Sequence, residues 1–250
     1  MADAGFSHPR LAALYDVLDP DRSDLEPYLE LAVSLGAGAV LDVGCGTGTF
    51  ACLLASRGFE VIGVDPAVAS IDLARRKLFA DQVSWRIGEV TAAGPLQVDL
   101  VTMTANVAQV FIDDEHWLRT LSGVRDALRP GGVLAFETRV PARQAWREWN
   151  RPASHDLADI PGIGRVETWI DLLSAEGDLV SFRWTYVFSS DGAVMTSDST
   201  LRFRSREQIE TSLVAAGFEL MEVRDAPDRP GREWVFIARR AARPVDNEIA

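Results

Sequence analysis

The sequence has little of what disulfide frameworks and metal sites require. It contains two cysteines, Cys45 and Cys52, and three histidines, His8, His116 and His155. The histidines are widely separated and none lies near the cysteine pair, which suits neither a disulfide framework nor a zinc site. We therefore expect reduced thiols and no bound metal.

A basic excess and a long apolar run are also missing. Lysine and arginine number 25 against 37 aspartates and glutamates, which gives a net charge of −12. Such a field repels polyanions, so a nucleic-acid partner is not expected. No apolar run approaches the roughly 18 residues of a membrane span, and the first ten residues, MADAGFSHPR, lack the apolar stretch of a signal peptide. The expectation is a cytoplasmic protein without a membrane partner.

The 250 residues are 47% hydrophobic and 25% charged, which is enough for an ordinary packed core. Short apolar runs alternate with helical stretches, and this alternation predicts an α/β fold with a parallel sheet covered by helices on both faces. The predicted strands are Ala39–Val43, Glu60–Val64, Val83–Ile87, Val98–Met103 and Val133–Glu137. The helices predicted between them are Thr49–Arg57, Val68–Phe79 and Asp114–Leu128.

The segments on either side of this alternation differ from it. Two helices, Arg10–Leu18 and Leu25–Leu35, are predicted before the first strand. After Pro141, turn dipeptides separate three strand-like runs, which predicts an antiparallel β insert over about 164–204. A helix and two strands then return to the main sheet. We expect residues 1–140 and 205–250 to form the main domain and residues 141–204 to form the insert.

The segment VLDVGCGTGTF, residues 40–50, is the most informative. Gly44, Gly46 and Gly48 follow a buried strand, where glycines let the backbone approach a ligand and expose helix N–H groups. Their G-x-G-x-G spacing differs from the G-x-G-x-x-G of a dinucleotide fingerprint. Asp42, two residues before the first glycine, suits a ligand with an ammonium group better than a pyrophosphate. A purely structural turn is the alternative.

Polar residues also follow the neighbouring strands. Asp65 ends the strand EVIGVD, where a carboxylate can accept hydrogen bonds from both hydroxyls of a ribose. Its alternative role is to cap the helix that begins near Val68. Glu89 and Val90 follow the third strand and could receive the amine and ring face of an adenine. Thr104 ends the fourth strand beside the glycine loop.

These motifs together resemble those of a known family. VLDVGCGTG, VDP, the strand that begins near Asp99 and LRPGG occur in the order and spacing of the class I S-adenosylmethionine-dependent methyltransferases of the small-molecule type. The resemblance covers residues 1–140 and 205–240. It implies a Rossmann-like, doubly wound, seven-stranded sheet whose last strand is antiparallel, with S-adenosylmethionine as the cofactor across the carboxyl ends of the strands.

The resemblance also implies roles for particular residues. Gly44 to Gly46 would pass beneath the methionine moiety, Asp42 would support its ammonium group and Tyr15 would lie in a lid near the cofactor. The longer side chain of Glu89, where the family more often has aspartate, is a departure at the adenine contact. The residues expected to bind the cofactor are Tyr15, Asp42, Gly44, Cys45, Gly46, Asp65, Pro66, Glu89, Val90 and Thr104.

The sequence predicts the residues that contact the acceptor less clearly. If the acceptor is a hydroxyl, a general base assists, and the candidate is His155, in the region expected to cover the mouth of the site. Glu137, at the end of the fifth strand, is the other predicted catalytic residue and could face the acceptor. His116 lies near a helix start and is expected on the surface. Further pocket candidates are Gln109, Arg139, Trp146 and Trp149, with ordinary packing as the alternative for each tryptophan.

We therefore expect methyl transfer to an oxygen, nitrogen or carbon atom of a small-molecule acceptor by in-line displacement. The insert would cover the site or join two subunits in a homodimer. One alternative is a non-methylating enzyme or binding protein that retains S-adenosylmethionine or S-adenosylhomocysteine, because fold does not fix chemistry. An NAD(P)-dependent oxidoreductase is a third possibility, and the glycine spacing disfavours it.

Overall fold

The computed structural model describes residues 2–241, which form two β-sheets and nine α-helical segments. The strands are β1 (Ala39–Val43), β2 (Glu60–Asp65), β3 (Val83–Ile87), β4 (Val98–Met103), β5 (Leu128–Arg139), β6 (Asp156–Ile160), β7 (Gly164–Glu176), β8 (Leu179–Phe188), β9 (Val194–Arg202), β10 (Phe218–Asp225) and β11 (Glu233–Arg240). The helices are α1 (Ala4–Ser7), α2 (Pro9–Ala12), α3 (Tyr15–Leu18), α4 (Glu26–Ser34), α5 (Thr49–Ser56), α6 (Val68–Ala74), α7 (Asp114–Ala127), α8 (Arg151–Ser154) and α9 (Arg206–Ala215).

The main sheet has seven strands in the order β10-β11-β5-β4-β1-β2-β3. β1 to β5 pair in parallel, whereas β11 is antiparallel to both β5 and β10. The order reverses between β1 and β4, and a crevice at the carboxyl ends of the strands follows from that reversal. The predicted Rossmann-like fold with an antiparallel last strand is confirmed.

Helices cover both faces of the main sheet because its central strands are apolar on both sides. On one face, Trp117 and Leu121 of α7 and Leu213 of α9 are buried. On the other face, Leu29 of α4 and Leu54 of α5 are buried. Removal of this apolar surface from water is the main force that holds the three layers together.

The second sheet confirms the predicted antiparallel insert after β5, with the strand order β6-β7-β8-β9. It has one more strand than the sequence predicted, because β6 pairs with β7 through a stretch, DLADI, that lacks a clear strand pattern. Leu11 and Leu14, from the N-terminal segment, pack against Val166 and Phe188 of this sheet. The domain division at residues 141 and 204 and the homodimer stay predictions.

Two predicted helices are shorter than expected. The stretch 10–18 is divided into α2 and α3, because the N–H of Leu14 bonds to the carbonyl of Leu11, three residues back, and tightens the chain. The helix predicted to reach Phe79 ends at Ala74, since the following turns bond three residues back and Phe79 has a φ of 67°. Within residues 2–241, no helix is long and apolar enough to cross a membrane.

Candidate active site

A cavity of about 280 Å³ lies at the carboxyl ends of β1, β2 and β4. The structure brings to it every residue that was expected to bind the cofactor, namely Tyr15, Asp42, Gly44, Cys45, Gly46, Asp65, Pro66, Glu89, Val90 and Thr104. The reversal of strand order predicts a ligand crevice at this place. We call this space the cofactor cavity.

The glycine loop after β1 forms the floor of the cofactor cavity, and its glycines have different roles. Gly44 and Gly46 have φ values of 71° and 53°, in the left-handed region that glycine adopts without strain. A Cβ atom on Gly44 would lie 2.6 Å from Cγ2 of Val107, whereas one on Gly46 would meet no described atom within 4 Å. Gly44 is therefore required by packing, and Gly46 leaves space open toward the cavity.

Asp65 ties the end of β2 to the glycine loop. Its Oδ2 accepts a 2.9 Å hydrogen bond from the N–H of Gly46, and its Oδ1 accepts a 2.7 Å bond from the N–H of Ala67. Burial raises the pKa of Asp65. Asp65 is not the N-cap residue of α6, which is Ala67, but its bond to the N–H of Ala67 holds the start of that helix, so the capping alternative describes part of its role. An ionised carboxylate has about four acceptor positions, which leaves room for ligand hydroxyls.

Asp42 presents an unsatisfied carboxylate oxygen at the same cavity. Its Oδ1 accepts a 3.0 Å hydrogen bond from the hydroxyl of Thr102, and its Oδ2 has no hydrogen-bond partner among the described residues. The side chain is fully buried, and burial raises its pKa to about 7. Because a buried acceptor without a donor costs free energy, this oxygen suits a ligand that brings a donor or a positive charge.

The far end of the cofactor cavity contains Glu89, Val90 and His116. His116 was expected on the surface; its side chain is 32% exposed and also lines the cavity. The side chain of Asp113 accepts a hydrogen bond from the N–H of His116 and fixes the start of α7, and the imidazole packs edge-on against Phe111. The ring thereby lies over the cavity, with Nε2 3.1 Å from Oε1 of Glu89.

The N-terminal helices cover the cofactor cavity. Phe6 and Tyr15 line it with ring centroids 5.5 Å apart. Asp16, beside Tyr15, accepts a 2.7 Å hydrogen bond from the hydroxyl of Thr47 and forms a 2.7 Å ion pair with Lys77. These contacts fasten the N-terminal segment to the glycine loop.

The second sheet also contacts the N-terminal segment that covers the cofactor cavity. The N–H of Gly5 donates a 2.7 Å hydrogen bond to the hydroxyl of Ser197 in β9, and Thr200 of the same strand lines the cavity. The insert therefore contributes directly to the enclosure of the cofactor cavity.

A second cavity of about 100 Å³ adjoins the first, and Tyr15, Arg22 and Ala105 line both. Its other lining residues are polar or charged: Asp19, Asp24, Asn106, Glu137, Arg139, Asp228, Arg229 and Glu233. Ala105 and Asn106 have φ values of 54° and 60°. Such left-handed conformations cost about 1–3 kcal/mol each for residues with a side chain and cluster at functional sites. We call this space the polar cavity.

Glu137, one of the two predicted catalytic residues, lines the polar cavity from the end of β5. Its Oε2 accepts a 2.7 Å hydrogen bond from the hydroxyl of Tyr28, and its Oε1 accepts a 3.2 Å bond from the N–H of Asn106. Burial and, next, the negative charge of Glu233 raise the pKa of Glu137 to about 7. The carboxyl group therefore titrates near neutral pH.

The structure does not bring the other predicted catalytic residue, His155, to either cavity. α8 and β6 carry it along the outer edge of the second sheet, where its Nε2 lies 2.9 Å from Oε1 of Glu167. The side chain is 43% exposed. Trp149 packs against Phe182 with ring centroids 4.5 Å apart, and Trp146 packs similarly against Phe203. The packing alternative describes both tryptophans.

Known proteins share the sequence and fold of this chain. The family described as "Methyltransferase domain" matches residues 40–132. A methyltransferase of Geobacillus sp. (strain WCH70), GWCH70_2453, whose name gives no acceptor, is 32% identical over 215 residues, which cover 82% of this chain and 85% of that protein. The chain belongs to the S-adenosylmethionine-dependent methyltransferases.

Solved structures agree with this assignment at the level of the fold. An S-adenosylmethionine-dependent methyltransferase from Clostridium acetobutylicum ATCC 824 superposes with a TM-score of 0.76 at 18% identity, covering 93% of this chain and 98% of that one. CalS10, an amino pentose methyltransferase from Micromonospora echinaspora with bound S-adenosylmethionine, gives a TM-score of 0.71 at 21% identity, with coverage of 91% and 97%. The identity of 32% to the Geobacillus protein places this chain among the methyltransferases and not among the oxidoreductases.

The cofactor of the methyltransferase is S-adenosylmethionine, and the residues of the larger cavity fit it. The unsatisfied oxygen of Asp42 matches a positively charged amino group. The open side of Gly46 leaves room for close approach of a ligand to the backbone. Asp65 retains acceptor capacity for hydroxyl groups. Within residues 2–241, no group of three or more histidine, cysteine, aspartate or glutamate side chains is arranged to hold a metal ion.

Sequence reasoning missed most residues of the polar cavity. Glu233 carries a detectable signal, because an acidic residue opens the otherwise apolar strand EWVFIA, and it is 2% exposed in the structure. Arg22 and Arg229 carry no such signal. They lie in loops far apart along the chain, and only the fold brings them to the same cavity.

Proposed function

We propose that this methyltransferase acts on a small polar molecule whose reacting atom reaches the cofactor through the polar cavity. The observation that carries this proposal is that the two cavities adjoin, with Tyr15, Arg22 and Ala105 in both linings. An acceptor in the polar cavity would therefore lie next to the cofactor, and such positioning can supply a large part of the rate of a displacement reaction.

Each part of the larger cavity has a role toward the cofactor in this proposal. Asp65 accepts hydrogen bonds from the ribose hydroxyls, and Asp42 faces the ammonium group of the methionine moiety. Glu89 and Val90 contact the adenine. The remaining predicted residues line the methionine and ribose portions, with Tyr15 as part of the cover: Gly44, Cys45, Gly46, Pro66 and Thr104.

When bound, S-adenosylmethionine supplies a methyl group on a positively charged sulfur, which keeps the electron pair of the S–C bond when the acceptor takes the methyl group. Glu137 then accepts the proton that the nucleophile loses, at Oε1 or Oε2. Its pKa of about 7 matches this task, because a general base works best when its pKa lies near the working pH. The N-terminal segment, through Phe6 and Tyr15, forms part of the lining of the cofactor cavity.

Three observations support a small acceptor rather than a macromolecule. The net charge of −12 opposes binding of nucleic acid. The polar cavity is only about 100 Å³ in volume. Among the structural neighbours, CalS10 is named for an amino pentose acceptor, which agrees with a small polar substrate here. Cytoplasmic location and a homodimer through the second sheet stay part of the proposal.

The experiment is to incubate the purified protein with S-adenosylmethionine labelled in its methyl group and a fractionated mixture of small metabolites. Mass spectrometry then identifies any product that carries the label, and Asp65→Ala protein is the control for cofactor-dependent transfer. Label in one small molecule, lost in the control, is the expected result. Label only in added protein or RNA, or bound cofactor without any labelled small molecule, would contradict the proposal.

A further inference from the structure

We infer that the polar cavity selects an acceptor that carries an ammonium group, so that the proposed methyl transfer ends on an amine nitrogen. The inference rests on the proposed function, because it assigns the polar cavity to the acceptor. It goes further by naming the charge and the hydrogen-bonding character of that acceptor. Two independent features of the cavity support it.

The first feature is an excess of negative charge that the cavity does not neutralise itself. Its lining contains five carboxylates and three guanidinium groups. Arg22 is held by both oxygens of Asp24 at 3.1 Å. Glu137 and Asp19 form no ion pair with any described arginine or lysine. A cation that enters would therefore meet two carboxyl groups, those of Asp19 and Glu137, that have no basic partner within ion-pair distance among the described residues.

The other two arginines are also occupied, and their partners lie beside Glu137. Arg229 forms ion pairs with Glu233 at 2.9 Å and with Asp228 at 3.4 Å. Arg139 donates a 3.0 Å hydrogen bond to Oε1 of Gln109 and lies 3.8 Å from Glu233. The guanidinium groups are thus paired with residues of the wall, and none of them lies within ion-pair distance of Glu137.

The second feature is an acceptor atom that lacks a donor. Asn106 is 3% exposed and lines the polar cavity, yet its Oδ1 has no hydrogen-bond partner among residues 2–241. Its Nδ2 donates a 3.1 Å hydrogen bond to Oε1 of Glu233, which fixes the orientation of the amide, because the reversed amide would place an oxygen against a carboxylate. The free Oδ1 therefore needs a donor that the described part of the protein does not provide.

An ammonium group supplies what both features lack. It has three N–H donors and no acceptor, and Asn106, Glu137 and Glu233, whose side chains carry acceptor oxygens, all line the cavity. A hydroxyl group has one donor and brings no charge, so it would leave the excess of carboxylates uncompensated. Glu137 also provides the route to a reactive nucleophile, because it can take one proton from the ammonium and leave a neutral amine with a free electron pair.

The test compares acceptors in matched pairs. Amino sugars, polyamines and aromatic amines are each offered with the analogue in which a hydroxyl replaces the amine, together with labelled S-adenosylmethionine. We expect the labelled products to be amines, with kcat/KM at least about a hundredfold above that of the hydroxyl partner. Transfer to hydroxyl partners at equal or higher efficiency would overturn the inference and leave the proposed function intact. Transfer to neither group, with S-adenosylhomocysteine still bound, would overturn both.

Charge variants provide a second measurement. Glu233→Gln keeps the shape of the side chain and removes its charge, and we expect it to raise KM for the amine about tenfold or more with a smaller effect on kcat. Asp19→Asn, at an exposed lining residue, should raise KM about twofold to threefold without disturbing a buried ion pair. Asp21→Asn is the matched control, because Asp21 lies outside both cavities. An unchanged KM in both lining variants would overturn the inference.

Discussion

The hydroxyl of Tyr28, in α4, donates a 2.7 Å hydrogen bond to Oε2 of Glu137, at the end of β5. This bond favours the ionised carboxylate and lowers its pKa, whereas burial and the charge of Glu233 raise it more strongly, to about 7. Burial also raises the pKa of the phenol well above its usual value, so Tyr28 stays a donor. The balance leaves Glu137 able to exchange a proton near neutral pH.

Removal of this hydrogen bond should move the pH dependence of the reaction. In Tyr28→Phe the carboxylate of Glu137 loses a donor, its pKa rises, and the acidic limb of the kcat/KM profile shifts to higher pH. We expect activity at pH 6 to fall by about tenfold or more, since a hydrogen bond to a charged group is worth roughly 1.5–3 kcal/mol, or about one to two pKa units. A folded variant with an unchanged profile would show that Glu137 does not control the rate.

Gly46→Val should abolish cofactor binding through the space that its side chain fills. The matched control is Gly36→Val, because Gly36 also has a positive φ, 60°, and open surroundings, but lies outside both cavities. Both variants carry the strain of a branched residue in the left-handed region. Calorimetry with S-adenosylhomocysteine should show affinity lost by more than about a hundredfold in Gly46→Val only. Equal affinities in the two variants would mean that the loop does not touch the ligand.

Asp65→Ala should weaken the binding of S-adenosylhomocysteine by at least about tenfold, because each charge-assisted hydrogen bond contributes roughly 1.5–3 kcal/mol. The substitution also removes two backbone contacts, so a control with the same structural loss is needed. Asp99 accepts from the N–H groups of Gly38 and Ala39 and lies outside both cavities. Asp99→Ala should lower the melting temperature without changing affinity. If both variants bind normally, Asp65 has no ribose role.

Asp42 should make the stability of the unliganded protein depend on pH. Its pKa is raised from 3.8 to about 7 in the folded state, so the fold favours the protonated form. The stability that the fold gains from protonated Asp42 is fully present below about pH 4 and is lost as the pH rises to about 7, where ionised Asp42 destabilises the fold. Between pH 5 and pH 7.5, Asp42→Asn should remove about 2.5 kcal/mol of this fall in the free energy of unfolding. Urea titrations at pH 5 and 7.5 measure the free energy of unfolding. An equal fall between these pH values in the unsubstituted protein and in Asp42→Asn would contradict the expectation.

The sequence predicted the main sheet well because its strands are apolar on both faces and are bounded by turns. Val40, Leu41 and Val43 surround Asp42 in such a strand, and their burial leaves little choice of structure. The second sheet was harder. β6 reads Asp-Leu-Ala-Asp-Ile with exposed side chains at Asp156, Leu157 and Asp159, so its strand character comes from pairing with β7 and not from a pattern of its own.

The cofactor cavity and the polar cavity also differ in how far the sequence alone predicts them. The cofactor residues occupy short motifs such as VLDVGCGTG, which the sequence displays directly. The polar cavity is assembled from separate segments: Arg22 precedes α4, Asn106 follows β4 and Glu233 opens β11. No local pattern records their proximity. His155 has the side chain of a general base, and only its position on the second sheet removes it from the site.

The most direct test of the account measures turnover and cofactor affinity in Glu137→Gln beside His155→Ala. Once the acceptor is identified, we expect Glu137→Gln to lower kcat about a hundredfold or more at neutral pH, as loss of a general base does. S-adenosylhomocysteine affinity should stay within about twofold by calorimetry in both variants, and His155→Ala should keep its turnover. Normal turnover in Glu137→Gln, or loss of turnover in His155→Ala alone, would contradict the assignment of the polar cavity as the acceptor site.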